Sequence, residues 1–249
     1  MEKLFIKKLQ NISKTFIVIA VIFTTVSCVN GQRIRGNNII ATEERSDIKN
    51  FDKINISAGL TAIITQGEKE FIEVEADQNL LNHIITEVRG NKTLSIRWKR
   101  NICISRYKKA TIHITLKQLK AVRASSSADV VSTNTLKVNN IDLDASSSAE
   151  IKLIFDAESI NIDASSSAEI TISGTTENLN ADASSSAEIK ARRLIAQHVR
   201  ADASSAADID VCAEKSIVAN ASSAADINYY GNPQSTKVHS SSGGDVDKK

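Results

Sequence analysis

A short motif recurs down the second half of the chain, and it limits the possible folds more than any other feature. One copy reads Ala-Ser-Ser-Ser-Ala-Glu-Ile over residues 164–170. Close copies begin at Ala124, Ala145, Ala183, Ala203 and Ala221, and a glycine-substituted last copy begins at Ser240. The acidic residues of successive copies are 21, 19, 19, 20, 18 and 19 residues apart. This period leaves no room for a helix in each repeat, so it predicts a β-solenoid with coils of about 19 residues.

Large apolar side chains alternate with polar ones on both sides of each serine tract. In one copy Ile141, Leu143 and Ala145 share a face with Ala149 and Ile151. Such a period of two predicts strands, and we expect the alternation to continue through the tract. The central serines, Ser147, Ser166, Ser185, Ser205 and Ser223, would then point inward. A buried hydroxyl without a partner costs about 1–3 kcal/mol, so each is expected to bond a carbonyl or the hydroxyl of the next coil.

Stacking converts each repeated outward position into a column along the solenoid axis, and two of these columns are acidic. The first contains Asp144, Asp163, Asp182 and Asp202, and the second contains Glu150, Glu169, Glu188, Asp208 and Asp226. Their carboxylates, beside a ribbon of serine hydroxyls, are hard oxygen ligands of the kind that Ca²⁺ prefers. The alternative is a solvated acidic face that keeps an exported protein soluble. No calcium-loop motif is present, so we assign a candidate ligand face but neither a metal site nor a cofactor.

The N-terminus has the pattern of an export signal. Four lysines up to Lys14 precede an apolar run over residues 16–26, which is too short to span a bilayer. We therefore predict a signal peptide over residues 1–27. The following Thr25-Val26-Ser27-Cys28 resembles a bacterial lipobox, although Thr25 replaces the usual large aliphatic residue. It predicts lipidation of Cys28, a membrane anchor and an outer-membrane location, with ordinary signal-peptidase cleavage as the alternative.

The remaining chain divides into parts with different sequence patterns. Residues 28–50 are predicted to be a tether and lead-in, and residues 51–249 a single β-helix domain. Within that domain, residues 51–121 read as irregular N-terminal coils and residues 122–249 as serine-rich repeats. The aromatic residues Trp98, Tyr107, Tyr229 and Tyr230 are predicted to cover the ends of the core.

The two cysteines after Cys28 lie far apart in a stacked structure. About five coils separate Cys103 from Cys212, which corresponds to more than about 20 Å at the spacing of stacked strands. A disulfide requires Cα atoms within about 7 Å, so we predict that both thiols are free.

Charge is divided unevenly along the chain. Residues 124–249 contain 10 Lys and Arg against 18 Asp and Glu, whereas residues 1–123 contain 21 against 11. The front part is therefore near +10 and the repeats near −8. This asymmetry could serve head-to-tail packing or contact with a charged surface.

Catalytic motifs are not apparent. His83, His113, His198 and His239 have no metal-ligand spacing, and there is no Gly-x-Ser-x-Gly sequence. Ser105 and Lys108 match Ser-x-x-Lys without its companion motifs. We therefore predict that the protein is not an enzyme.

The segment Phe51–Gly59, the Gln66-Gly67 turn, the serine repeats and the closing sequence over residues 242–246 resemble the head GIN domain family of auto-transporter adhesins. That family is common in exported and lipid-anchored proteins of Bacteroidetes-type bacteria. The resemblance implies a right-handed parallel β-helix and carries no assigned catalytic residue.

These observations lead to a cell-envelope structural or adhesive surface module as the main functional hypothesis. The alternatives are a glycan-binding or glycan-active envelope protein and a self-associating module, since a β-helix has strand edges at its ends. Expected partners are the membrane, through the anchor, and a protein or polysaccharide of the cell surface. A homo-oligomer remains an alternative, and nucleic acid is not expected.

Overall fold

The computed structural model describes residues 32–249. The chain is nearly all β, with 68% strand and 3% helix, and it forms a β-solenoid of about seven turns about 19 residues apart. The predicted fold class is therefore confirmed. No helix within residues 32–249 has the length and apolar character needed to cross a membrane. The predicted signal peptide and Cys28 lie outside the described residues.

Nine strands and one short 3₁₀ helix form the N-terminal part. They are β1 (Gln32–Arg35), β2 (Ile40–Glu44), β3 (Lys53–Ser57), β4 (Thr61–Gln66), β5 (Phe71–Asp77), the 3₁₀ helix (Gln78–His83), β6 (Ile84–Arg89), β7 (Thr93–Trp98), β8 (Ile102–Arg106) and β9 (Ala110–Leu116). Strands β6 and β7 form a hairpin, because they pair in antiparallel fashion. The segment predicted as tether and lead-in contributes both β1 and β2.

The repeats form ten further strands, and every pairing among them is parallel. They are β10 (Ala121–Ser125), β11 (Asp129–Ser132), β12 (Leu136–Ser146), β13 (Glu150–Ala164), β14 (Glu169–Ala183), β15 (Glu188–Ala203), β16 (Asp208–Ser222), β17 (Asp226–Tyr230), β18 (Ser235–Ser241) and β19 (Asp245–Lys248). The 20-residue step follows a register shift between β14 and β15, and the 18-residue step follows register shifts between β15 and β16. Small differences in repeat length are thus absorbed locally.

The first coil is made by β3 and β4, which stack directly on β10 and β11. The chain between them folds back to cover the other side of this coil, where β7 pairs with β3 and β9 pairs with β4. The antiparallel partners β5 and β2 extend the same cap. The N-terminal end of the solenoid is therefore closed by chain that lies between the first and second coils in the sequence.

Each serine tract makes a tight turn, and it does not continue the strand as predicted. Ser147 and Ser148 have φ values of 54° and 59°, and the same two positions of every copy are left-handed. Ala145 and Ala149 are buried on either side of the turn, whereas Ser147 is exposed. The prediction of an inward serine column was therefore wrong for all five positions. Two consecutive left-handed residues reverse the chain direction, so a period of two cannot continue through them.

Backbone hydrogen bonds hold these turns together. Within a turn the Ala168 N–H donates to the Ser165 carbonyl at 3.2 Å, which closes a four-residue β-turn. Between coils the Ser148 N–H donates to the Ser166 carbonyl at 3.1 Å, and the pattern repeats in the following coils. The turns therefore stack into a continuous backbone ladder, which offsets the cost of left-handed residues that have a Cβ.

Two adjacent alanines allow a test of this turn. Ala206 has a φ of 58°, whereas Ala207 is fully buried and follows the turn. We expect Ala206→Gly to raise the free energy of unfolding by about 0.5–1 kcal/mol, because glycine relieves the left-handed strain. Ala207→Gly should lower it by about 1 kcal/mol, because glycine loses more conformational entropy and packs less. Urea denaturation of both variants checks the prediction, and changes of the same sign would contradict it.

Aromatic side chains close the N-terminal end as predicted. The rings of Trp98 and Tyr107 are 5.8 Å apart, and both side chains bond to the first turn of the solenoid. The Trp98 indole N–H donates to the Ala58 carbonyl at 2.9 Å, and the Tyr107 hydroxyl donates to the Gly59 carbonyl. These two bonds fix the cap to the first coil.

The C-terminal end is closed differently. Tyr229 is buried, while Arg192 lies 4.3 Å above the Tyr230 ring. In the last coil, β18 is exposed along its whole length, and Ser240 occupies the register position of the buried Ala221. The final coil therefore has serine at one position where the preceding coil has a buried alanine, which makes that part of its open face compatible with water.

The cysteines follow the prediction in one case out of two. Cys212 is a free thiol, and burial raises its pKa. Cys103 is disulfide-bonded, so the prediction of a free thiol there was wrong. Its partner is not Cys212, whose thiol is free. Cys103 lies instead beside Arg33 of β1, in the N-terminal cap.

Candidate functional site

The parallel register aligns both predicted acidic columns. Asp144, Asp163, Asp182 and Asp202 are consecutive partners, and Asn220 and His239 continue the row. In the second column Glu150, Glu169, Glu188, Asp208 and Asp226 are consecutive partners. The structure therefore places every predicted residue of the candidate face in its column. The stacked serine turns, which include residues 146–149 and their equivalents in the other coils, form a ridge that we call the turn ridge. This ridge separates the two columns, so they do not form one continuous face.

The first column lines a groove that runs along the solenoid axis. The groove has a volume of about 610 Å³ and combines the aspartates with the serines that precede each turn, Ser165, Ser184, Ser204 and Ser222. Buried alanines such as Ala183 form its floor. None of its lining residues belongs to the second acidic column. We call this feature the Asp–Ser groove.

Within residues 32–249, the ion pairs of the aspartate row form at Asp144 and Asp202. Arg123 lies 3.4 Å from the Asp144 carboxylate, and Arg200 lies 2.8 Å from that of Asp202. Asp163 and Asp182, in the middle, form no ion pair with a described residue. Partial burial, followed by the Asp202 and Asp163 carboxylates, raises the pKa of Asp182, and the positive charge of Arg200 offsets only part of this rise. The centre of the groove therefore carries negative charge that the fold itself leaves unneutralised.

The second column is neutralised along its middle. Lys190 lies 2.9 Å from the carboxylates of both Glu169 and Glu188, and Lys152 pairs with Glu150. The hydrogen bond from Lys190 lowers the pKa of Glu169. These lysines occupy one repeated position, since Lys152 and Lys190 both align with Thr171. The repulsion expected within this column is thus relieved by a cationic column beside it.

Towards the C-terminus this column loses its lysines. Asp210 replaces lysine at the neighbouring position, and Asp208, Asp226 and Asp245 follow in the acidic row. Burial, then the carboxylates of Asp226 and Glu188, raises the pKa of Asp208. Within residues 32–249, however, no group of three or more His, Cys, Asp or Glu side chains could hold a metal ion. The columns present carboxylates in rows rather than in a coordination cage.

Amide ladders are a feature that the sequence reasoning missed. The Asn161 amide donates to Asp142 at 2.9 Å, and the Asn180 amide donates to Asn161 at the same distance. Asn220 donates likewise to Asp202 at 2.6 Å. The signal was present in the sequence, because Asn161 and Asn180 are one coil length apart. These bonds tie successive coils together at the edge of the Asp–Ser groove.

The stacked coils and their aligned polar columns define a class: a β-solenoid protein whose main surface features run along its length. The chain belongs to the family described as "Putative auto-transporter adhesin, head GIN domain", whose model matches residues 50–233. The predicted family is therefore confirmed. No curated protein matches the chain.

Several solved structures have a similar fold. A structure described as a putative adhesin from Bacteroides fragilis is 21% identical, with a TM-score of 0.81, covering 87% of this chain and 100% of its own. One described as a putative lipid binding protein from Parabacteroides distasonis is 24% identical, with a TM-score of 0.71 and coverages of 88% and 100%. A putative adhesin from Parabacteroides merdae is 19% identical, with a TM-score of 0.70 and the same coverages. At these identities the comparison establishes the fold alone.

Proposed function

We propose that the protein is an adhesive surface module of the cell envelope and that the Asp–Ser groove is its contact surface. The observation that carries this proposal is the pair Asp163 and Asp182, whose carboxylates form no ion pair with a described residue. A partner that offers cationic groups or hydrogen-bond donors at the coil spacing would complement this row. The adjacent serine hydroxyls would contribute further hydrogen bonds.

A protein partner fits this groove better than a glycan does. Sugar-binding sites commonly use aromatic rings, and none of the residues that line the groove is Phe, Trp or Tyr. The second acidic column is a weaker contact surface, because Lys152 and Lys190 already satisfy its carboxylates. Family membership supports the adhesive role. Neither the family nor the geometry provides a catalytic role.

Attachment of cells that produce the chain tests the proposal. The groove variant Asp163→Asn with Asp182→Asn should reduce attachment to the level of cells that lack the chain. The control Glu169→Gln with Glu188→Gln removes the same charge on the other side of the turn ridge and should retain attachment. Equal losses in both variants would exclude the groove as the contact surface. If cells lacking the chain attach as well as the parent cells, the adhesive role is wrong.

We also propose that export ends in lipid attachment at Cys28. Lipidation makes the Cys28 sulfur a thioether. The other two cysteines of the chain are the free Cys212 and the disulfide-bonded Cys103, so lipidation of Cys28 and a disulfide from Cys103 within the same chain exclude each other. The mass of the N-terminal peptide of membrane-recovered protein distinguishes the two. An unlipidated peptide would overturn the anchor but would leave the adhesive proposal open.

A further inference from the structure

A long stretch of the chain carries positive charge without any negative charge. Residues 89–128 contain eleven Lys and Arg and no Asp or Glu. Two more arginines, Arg33 and Arg35, lie in a second stretch that contains no acidic residue before Glu43. Most surfaces mix the two signs of charge, so a region of this kind suggests an anionic partner.

The fold brings these two stretches together. Strands β1 and β8 form a two-stranded parallel sheet of their own, apart from the 17-stranded sheet of the solenoid. In this sheet Arg35 is the direct partner of Arg106, and Arg33 is the partner of Cys103. We call the exposed cations of this sheet and its flanking residues the basic ribbon: Arg33, Arg35, Lys99, Arg100, Arg106 and Lys108. Its charge depends on the pairing of segments that are about 70 residues apart.

The basic ribbon is not neutralised by its own fold. None of its six cations forms an ion pair within residues 32–249, whereas nearby Lys109 and Arg97 do. Lys109 lies 2.7 Å from Glu75, and Arg97 lies 2.8 Å from Glu87. Arg35 and Arg106 lie opposite each other on paired strands. Like charges in this arrangement destabilise the pair. A bound anionic surface would remove this repulsion.

The ribbon is also held in a defined position. The segment that contains β8 is flanked by Trp98 on one side and Tyr107 on the other. The side chains of both residues bond to the first turn of the solenoid. The Gly36 N–H donates to the Arg106 carbonyl at 2.8 Å, which fixes β1 at its other end. The charges therefore form a preorganised surface, and ordering them would cost little on binding.

The length of the preceding chain indicates what this surface faces. Gln32 comes four residues after Cys28, so even a fully extended connection spans only about 14 Å. Electrostatic attraction in physiological salt extends over about 8 Å. A lipid at Cys28 would thus hold Arg33 and Arg35 at or near the range of the headgroup charge.

We propose that the basic ribbon binds the phosphate headgroups of an anionic bilayer, so that the solenoid docks on its membrane through its capped end. This inference rests on the proposed envelope location and adds an electrostatic contact to the proposed lipid anchor. Each Lys or Arg near an anionic membrane surface contributes about 1 kcal/mol, so the basic ribbon would strengthen the attachment and orient the capped end towards the membrane. The Asp–Ser groove, on the repeats, then remains accessible.

Vesicle flotation with the unlipidated mature chain, residues 28–249, separates this inference from lipidation. We expect binding to vesicles of equal parts phosphatidylglycerol and phosphatidylcholine, no binding to phosphatidylcholine alone, and release in 1 M salt, where the screening length is about 3 Å. The ribbon variant Arg35→Gln, Arg100→Gln, Arg106→Gln should lower the partition coefficient about a hundredfold, at about fivefold for each charge. All three side chains are exposed, and an unchanged melting temperature would show that the variant is folded.

The control variant Arg193→Gln, Lys215→Gln, Lys237→Gln removes the same charge from the distant coils and should bind like the parent chain. Equal losses in the two variants would mean that net charge alone drives binding, which would overturn the ribbon as the site. Absence of vesicle binding by the parent chain would also overturn it. So would a low-salt dimer in sedimentation that the ribbon variant abolishes, because the ribbon would then contact a second copy. None of these results bears on cell attachment, which tests the proposed function separately.

Discussion

Gly174→Ala is expected to lower the free energy of unfolding by about 3 kcal/mol. Gly174 has a φ of 114°, a conformation that side chains with a Cβ rarely adopt. A Cβ there would also lie 1.9 Å from the carbonyl oxygen of Phe155, its partner in the preceding coil. The obstacle is backbone of the adjacent strand, so it cannot move aside without breaking the stack. Chemical denaturation followed by circular dichroism measures the loss.

Gly90→Ala is the matched control for this substitution. Gly90 lies in the turn between β6 and β7, its φ is outside the left-handed region, and nothing lies within 4 Å of a Cβ built on it. Its effect should stay within about 0.5 kcal/mol. If Gly174→Ala were tolerated equally well, the tight stacking of β13 on β14 would be wrong.

Asp77→Asn is expected to cost about 2–3 kcal/mol, the range for lost hydrogen bonds to a buried charged group. The Asp77 side chain is fully buried at the end of β5. Its carboxylate accepts hydrogen bonds from the backbone N–H groups of Asn38 at 2.6 Å, Lys108 at 2.8 Å and Lys109 at 3.1 Å. The NH₂ group of an asparagine side chain is itself a donor, so it would face some of these backbone N–H groups without accepting a hydrogen bond from them. Because the three bonds join the entering chain to the loop after β8, the loss should loosen the cap that carries the basic ribbon.

The same carboxylate predicts a pH dependence. Burial alone would raise the pKa of Asp77, but the backbone donors of Lys109, Lys108 and Asn38 outweigh it and lower the pKa below its ordinary value of 3.8. A lowered folded-state pKa contributes stability above the unfolded-state pKa of about 3.9, and this contribution is lost as the pH falls through the folded-state value. The stability difference between the parent chain and Asp77→Asn should therefore be constant near neutral pH and shrink below about pH 4.

Urea titrations at several pH values measure this difference, with Asp47→Asn as control. Asp47 is exposed, so its replacement should change stability by less than about 0.5 kcal/mol at every pH. A stability difference for Asp77→Asn that stays constant down to pH 3 would show that Asp77 is not the charged, hydrogen-bonded group described here.

Several features of the fold and site followed from the sequence because they depend only on the repeat period. Parallel stacking at a fixed period aligns equivalent residues, so the columns from Asp144 to Asp202 and from Glu150 to Asp226 could be predicted by counting. The lysines that neutralise the second column could have been found in the same way, because Lys152 and Lys190 are two coil lengths apart.

Other features could not be predicted by counting residues at the repeat period. Alternation predicted an inward Ser166, but its φ of 54° places the side chain at an exposed turn, and backbone conformation is not encoded in a hydrophobic pattern. The disulfide at Cys103 depends on packing in the cap, where the chain does not repeat.

The sequence by itself determined the period, the parallel stacking and the identity of each outer column, because a local repeat imposes the same backbone path on every coil. Only the tertiary structure decided which charges remain without a partner. Asp163 and Asp182 form no ion pair with a described residue, whereas Arg123 and Arg200 pair with Asp144 and Asp202. The basic ribbon exists because β1 pairs with β8. Neutralisation depends on distances across coils and between remote segments, and these distances are set only when the chain has folded.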